Sequence, residues 1–267
     1  MSARIAARVR IPVLVLGGVA FLVGLVAGVL WLALAGFATF FVGLVLYFRA
    51  GTVRTEPFPI RAPVTGRWSA LSSPADDVPS HGLHAYGQSY AIDLVHVPEG
   101  QHAPELAWSP ATRPPDEFPG FGRPVVATAD GTVVKVHRRE RDHRSRDSWP
   151  GLMLWFLESM FRELTGPGRL FGNHVVIEIA PGVYALAAHL QKGSVDVQKG
   201  DRVRAGQPIA ACGNSGSSTE PHVHFQLMDR PGVLFAAGLP FTLTNARDDA
   251  GEPVAVPPAG TTITADG

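Results

Sequence analysis

From Ile11 to Phe48 the chain runs for 38 residues without a charged side chain, and only Thr39 and Tyr47 carry a hydroxyl. About 20 apolar residues cross a bilayer, so the run predicts two short membrane helices, at about 11–31 and 34–48, with a break near Ala33–Gly36. A cleaved signal sequence has an apolar core of only about 7–15 residues, too short to account for this run. Residues 1–50 are therefore expected to be a two-helix transmembrane anchor. Arg4, Arg8 and Arg10 precede it and Arg49, Arg54 and Arg61 follow it. The basic residues thus leave its orientation open, although a hairpin puts both ends on one side.

After the anchor the period changes from helical to two. Residues 51–80 are a lead-in rich in Pro, Ser and Thr, whose opening half can pair as an edge strand and whose closing half reads as loop. "YAIDLVHV" (Tyr90–Val97) reads as a buried strand, and the proline-laden 98–124 as a long loop of the kind that tends to be functional. "RPVVATADGTVVKVHR" is strand, Asp130-Gly131 turn, strand, and "NHVVIEIAPGVYALAAHL" repeats the plan around Pro181-Gly182. "KGDRVRAGQPIAACGNSG" adds two short strands and "PHVHFQLM" another. Many short strands on glycine turns predict a mainly β, largely antiparallel domain over 81–245. One insertion, 137–172, breaks the pattern. It has a mixed-charge run, then a helix with Ser148 as cap, Pro150 in the first turn and Gly166 past the end. Its apolar positions cover more than a narrow stripe, which suits packing over the sheet, leaning on the bilayer or closing as a lid. The tail, 246–267, has little to bury and is expected to be flexible.

Charge and cysteine narrow the chemistry. Twenty-three Lys and Arg balance 23 Asp and Glu, so no electrostatic footprint for nucleic acid exists. The single Cys212 excludes an intrachain disulfide and a Cys-rich zinc site. What remains is histidine. In "PHVHFQLM" a strand would place His222, His224 and Gln226 on one face and Val223, Phe225 and Leu227 on the other. Such a pair could be a metal ligand and an acid/base group, or two polar residues on a wet face. Asp93 inside an apolar strand is costly to bury unless paired or bound to a metal, and His189 ends the strand "YALAAHL". His81 and His84 lie upstream in "SHGLHAYG". Two histidines, a carboxylate and an open position describe a catalytic zinc site.

In order along the chain, "YAIDL", "RPVVATADGTVVKV", a strand pair ending in "AHL", "KGDRVRAGQPIA" and "GNSGSSTEPHVHF" resemble the LytM/lysostaphin-type zinc endopeptidases of peptidoglycan. The resemblance covers about Ser80–Met228 without the insertion. It implies a barrel-sandwich hybrid fold, zinc as cofactor and the peptide cross-links of peptidoglycan as substrate. It further implies Asp93 and His224 as metal ligands, with His189 and His222 as the non-ligand histidines that polarise the attacking water. Much of the family has its first histidine ligand four residues before the aspartate, where this chain has Ser89. The family's looped variant makes His81 the choice, with His84 as the alternative. The resulting expectation is a membrane-anchored zinc metalloendopeptidase on the cytoplasmic membrane of a bacterium, facing outward. Two other readings stand beside it: an inactive member that binds cell wall or activates another hydrolase, and a biotinyl/lipoyl-type carrier. The carrier lacks its exposed hairpin lysine and leaves the HxH strand unexplained.

Overall fold

A computed structural model describes residues 2–101 and 106–267 of the chain. The uncharged run folds as two antiparallel helices, α1 (Ala3–Val26) and α2 (Leu30–Arg49), both long and apolar enough to cross a membrane. The break between them falls at 27–29 and not near Ala33–Gly36. Gly28 turns the chain there with φ of +69°, a left-handed conformation open to glycine at little cost. Gly36 has a different task. A Cβ on it would stand 2.2 Å from the Phe21 backbone nitrogen, so its small size sets the close approach of the two helices. The first turns of α1 belong to the folded domain as much as to the helical hairpin. Ala6, Ala7 and Arg10 are buried, and Arg10 donates to the carbonyls of His84 and Ala236.

The rest is mainly β, with one helical insertion, as the strand pattern predicts. The strands are β1 (Phe58–Ile60), β2 (Gly66–Ser72), β3 (Ile92–His96), β4 (Pro124–Val126), β5 (Gly131–His137), β6 (Asn173–Ala180), β7 (Val183–Leu190), β8 (Arg202–Val203), β9 (Pro208–Ala211), β10 (Val223–Met228), β11 (Gly238–Leu239), β12 (Phe241–Leu243), β13 (Ala246–Arg247) and β14 (Thr262–Ala265). Among the described residues ten of them form one sheet, in the order β13-β14-β2-β3-β10-β7-β6-β5-β8 with β11 also on β10. Two small sheets, β4 with β9 and β1 with β12, stand beside it. Alternation fills the core: Val223, Phe225 and Leu227 of β10 join Ile92 and Leu94 of β3, with Trp68 and Ile177. The opposite faces of β3, β10 and β7 carry the polar Asp93, His222, His224 and Gln226 beside a second apolar cluster with Leu186, Ala188, Met228 and Phe171.

The insertion emerges between β5 and β6 and contains α3 (Trp149–Leu164) and α4 (Pro167–Phe171). Ser148 caps α3, its hydroxyl accepting from the Gly151 amide. The long loop of 98–124 holds a single helical turn at Pro115–Glu117 in its described part, and the reading of 102–105 as loop lies outside the described residues.

Two expectations are corrected. The closing half of the lead-in is loop only from 73 to 80, since β2 lies inside the sheet between β14 and β3. Nor is the tail free, since β14 pairs with β2 in register Ile263 to Trp68 and buries Ile263 and Ala265. In both cases a short alternating segment ("RWSAL", "TITA") supplies two apolar residues to the core face, Trp68 with Ala70 and Ile263 with Ala265. Too few residues are involved for the pattern to stand out from its polar surroundings until the neighbouring strand covers them.

Candidate metal centre

Register builds the centre. On β3 and β10, Asp93 stands directly opposite His224, so the two side chains leave the sheet on one face within reach of each other. Asp93 Oδ1 lies 2.8 Å from His224 Nδ1, and Oδ2 lies 2.9 Å from His81 Nε2. The three ligand-type atoms all fall within 4.8 Å of one another. β7 flanks β10 on its other side, and an extra residue in β7 against β6 breaks the register between Asn173 and Val175. At this bulge His189 takes φ of +60°. A non-glycine residue held in that conformation is strained, and here the bend turns its ring toward His222, with 4.8 Å between ring centroids. His222 Nε2 is 3.7 Å from Asp93 Oδ1.

The hydrogen bonds behind the four imidazoles determine which nitrogen of each carries a lone pair. Ser80 spends its hydroxyl proton on the Ala91 carbonyl at 2.7 Å, so its oxygen accepts from His81 Nδ1–H and the lone pair of Nε2 faces Asp93. Gln226 donates through Nε2 to the Tyr86 carbonyl, which turns its Oε1 to accept from His224 Nε2–H at 2.9 Å. The His224 lone pair is therefore on Nδ1, toward Asp93. His189 Nδ1–H donates to the Ser215 carbonyl and His222 Nδ1–H to the Glu220 carbonyl, both at 2.8 Å. Their Nε2 lone pairs point the other way, into the cleft. All four rings are thus held by outer partners with basic nitrogens inward, the arrangement that orients metal ligands and proton acceptors.

His84 stands outside this group. Its Nδ1 meets Ser89 Oγ at 2.8 Å, its Nε2 is near Thr52 and its carbonyl accepts from Arg10. Ser80 and Gln226 escaped the sequence reading as site residues. Gln226 left a signal, since it shares the His224 face by strand period, whereas nothing local marks Ser80.

Electrostatics suit a cation. Burial by itself raises the Asp93 carboxyl, but the surrounding imidazoles of His81, His222 and His224 outweigh it and hold the group well below the usual carboxylate range. Burial keeps the His222 imidazole low, and burial with His222 and His224 holds His189 well below its ordinary value. Both are then neutral bases at neutral pH. A cleft of about 500 Å³ leads to the centre, walled by Trp155, Phe156, Met160 and Glu163 of α3 and by Tyr47 of α2.

Behind His222 sits a less settled group. Glu220 is buried, and burial first, then the Asp147 carboxylate, push it up to about 7 against the pull of Arg113. Its folded value lies above its ordinary one, so its contribution to stability is complete below about pH 4.5 and is lost as pH climbs through about 7, a cost of about 3 kcal/mol. The wild-type unfolding midpoint should fall between about pH 5 and 8, and Glu220→Gln should flatten that fall. Parallel melting curves for the two proteins would show the assignment to be mistaken.

Residues 161–234 match the model of peptidase family M23, a span that holds His189, His222 and His224. This segment of the chain is similar to peptidase family M23. The chain is 58% identical over 114 residues to the glycyl-glycine endopeptidase ALE-1 of Staphylococcus capitis, covering 42% of this chain and 23% of that protein. It is 39% identical over 122 residues to the peptidoglycan DD-endopeptidase ShyB of Vibrio cholerae, covering 45% and 21%. It is also 30% identical over 100 residues to the murein hydrolase activator EnvC of Escherichia coli, covering 34% and 23%. The chain thus spans under a quarter of the length of these relatives.

Proposed function

We propose that this protein is a member of peptidase family M23, of the LytM type, and a membrane-anchored zinc metalloendopeptidase that hydrolyses peptide cross-links of peptidoglycan. The observation that carries the reading is the meeting of His81, Asp93 and His224 from three separate segments, with two further basic imidazole nitrogens beside them.

The donor set fits zinc. It consists of two imidazoles and one carboxylate with no thiolate, the composition of hydrolytic zinc sites that keep a position open. Bonds of about 2.0–2.1 Å in a tetrahedron keep ligand atoms about 3.3 Å apart, and the three atoms here lie within 4.8 Å of one another. His81 Nε2, Asp93 and His224 Nδ1 would hold the ion. Zinc in such a site supplies Lewis acidity, polarising a scissile carbonyl and acidifying a water molecule.

The chain's own groups do the proton work. His222 Nε2 is the base for the attacking water, because its Nδ1–H is committed to the Glu220 carbonyl and the ring is neutral. Once protonated, the same nitrogen returns the proton to the departing amine. His189, oriented by Ser215, presents the lone pair of Nε2 to the same space and accepts a hydrogen bond from the attacking water beside His222. The cleft walls position the peptide and displace bulk water. α1 and α2 would tether the domain to the membrane, with Arg10 at the start of the hairpin and Tyr47 near its end both held by the domain.

The activity named for the ALE-1 and ShyB relatives supports hydrolysis, while the EnvC relative supports a second reading, an activator without catalysis. Purified full-length protein should contain one zinc per chain by mass spectrometry and should release soluble fragments with new amino termini from peptidoglycan sacculi. Zinc without release would favour the activator, and protein without zinc that also releases nothing would end the hydrolase reading.

A further inference from the structure

α3 is folded inside out. Its polar side chains face the protein: Glu158 receives two hydrogen bonds from Arg146, Ser159 meets Ser217, and Glu163 accepts from both Tyr47 and Tyr86. Its apolar side chains face out, with Met153 66%, Phe161 68% and Leu164 84% exposed and Leu154, Phe156 and Leu157 exposed beside them. A surface helix of a soluble domain has the opposite arrangement, and an exposed apolar face of this extent marks a contact site. At the helix start Trp149 and Trp108, both exposed with ring centroids 6.3 Å apart, extend the same apolar surface.

What lies against this face follows from where its far end is fixed. The Glu163 carboxylate accepts from Tyr47, in the last turns of α2, so the exposed face continues from the end of a helix long and apolar enough to cross a bilayer. Tryptophans at one end, aliphatic and aromatic residues along one side and charged groups on the other are the marks of a helix lying in the membrane interface. We infer that α3 docks on the lipid surface beside the anchor, its outward face sunk about 5–10 Å into the headgroup boundary. The inference rests on the reading of α1 and α2 as a membrane anchor. It also places the cleft: Trp155, Phe156 and Met160 of α3 wall it together with Tyr47, so the candidate metal centre opens at the membrane surface. The substrate reached there is peptide close to the bilayer, not in the outer layers of a wall. The polar contacts of α3 hold it to the domain along two turns, which sets it apart from a hinged lid.

The test uses the full chain in vesicles of phosphatidylethanolamine and phosphatidylglycerol, with a nitroxide on a single introduced cysteine. Cys212 is fully buried and its thiol is pushed up by burial, so it does not compete for label. Labels at Phe161→Cys and, as a second position, Leu157→Cys are compared with Leu22→Cys in α1 and Lys199→Cys on an exposed loop of the domain. The α3 labels should match Leu22, with collisions several-fold richer in oxygen and poorer in a water-soluble nickel chelate than those at Lys199. If Leu22 meets lipid while both α3 labels behave like Lys199, the docking is wrong and the anchor stands. If Leu22 itself lies in water, the anchor reading fails and takes the docking with it. Labels on α3 shielded from both reagents would mean that protein, such as a second copy, covers the face, and would also overturn the inference.

Discussion

Asp93→Ala should leave the protein folded but without bound zinc, and should bring peptidoglycan hydrolysis down to background. Among the described residues Asp93 is the only carboxylate among the four imidazoles, touching His81 and His224 through different oxygens and standing 3.7 Å from His222. Without it the two imidazole ligands have no anion to offset a divalent charge in a partly buried site. Loss of an orienting partner behind a ligand costs roughly 10–100-fold in metal affinity, so loss of a ligand should cost at least the upper end of that range. Folding should survive, because the outer bonds of the imidazoles to Ser80, Gln226, Ser215 and Glu220 remain. His224→Ala should behave alike. The measurements are zinc content by mass spectrometry, release of soluble fragments from sacculi, and circular dichroism as the check on folding. A folded Asp93→Ala protein that keeps its zinc would refute the ligand assignment.

His222→Ala should part zinc from turnover. His222 contributes no atom to the group of three ligand-type atoms, yet its Nε2 faces the same space. Its removal should leave zinc content unchanged while kcat falls by about 10²–10⁴-fold, the usual worth of a positioned acid/base group. KM should move little, since the ring acts on the proton and not on the binding of the peptide. His189→Ala should fall in the same class, and since alanine keeps its Cβ the positive φ at that position stays strained. Equal loss of zinc from His222→Ala and His224→Ala would overturn the division of labour between the two histidines of the HxH strand.

Strand period made part of this centre readable in advance. Asp93 in "YAIDL" and His224 in "PHVHF" both break an apolar alternation on the same phase, so each had to leave the sheet on the face opposite its apolar neighbours. That argument cannot choose between His81 and His84, which lie in a loop with no period. The choice comes from a packed surface. Arg10, from the start of α1, takes the His84 carbonyl, and Ser89 takes the His84 ring. Only His81 then reaches Asp93.

The same division holds for the whole chain. The amino-acid order by itself determined two apolar helices, a mainly β domain and an inserted capped helix, because those depend on period, length and turn residues close together in the chain. It also singled out the buried carboxylate and the HxH strand. Only the tertiary structure decided that the tail closes the sheet, since Ile263 and Ala265 find their cover on β2, almost 200 residues away. It alone decided that α3 turns its polar side inward, because Arg146, Ser217, Tyr47 and Tyr86 come from four separate segments. Contacts between distant parts of a chain depend on how its elements stack, and no local pattern of residues encodes that.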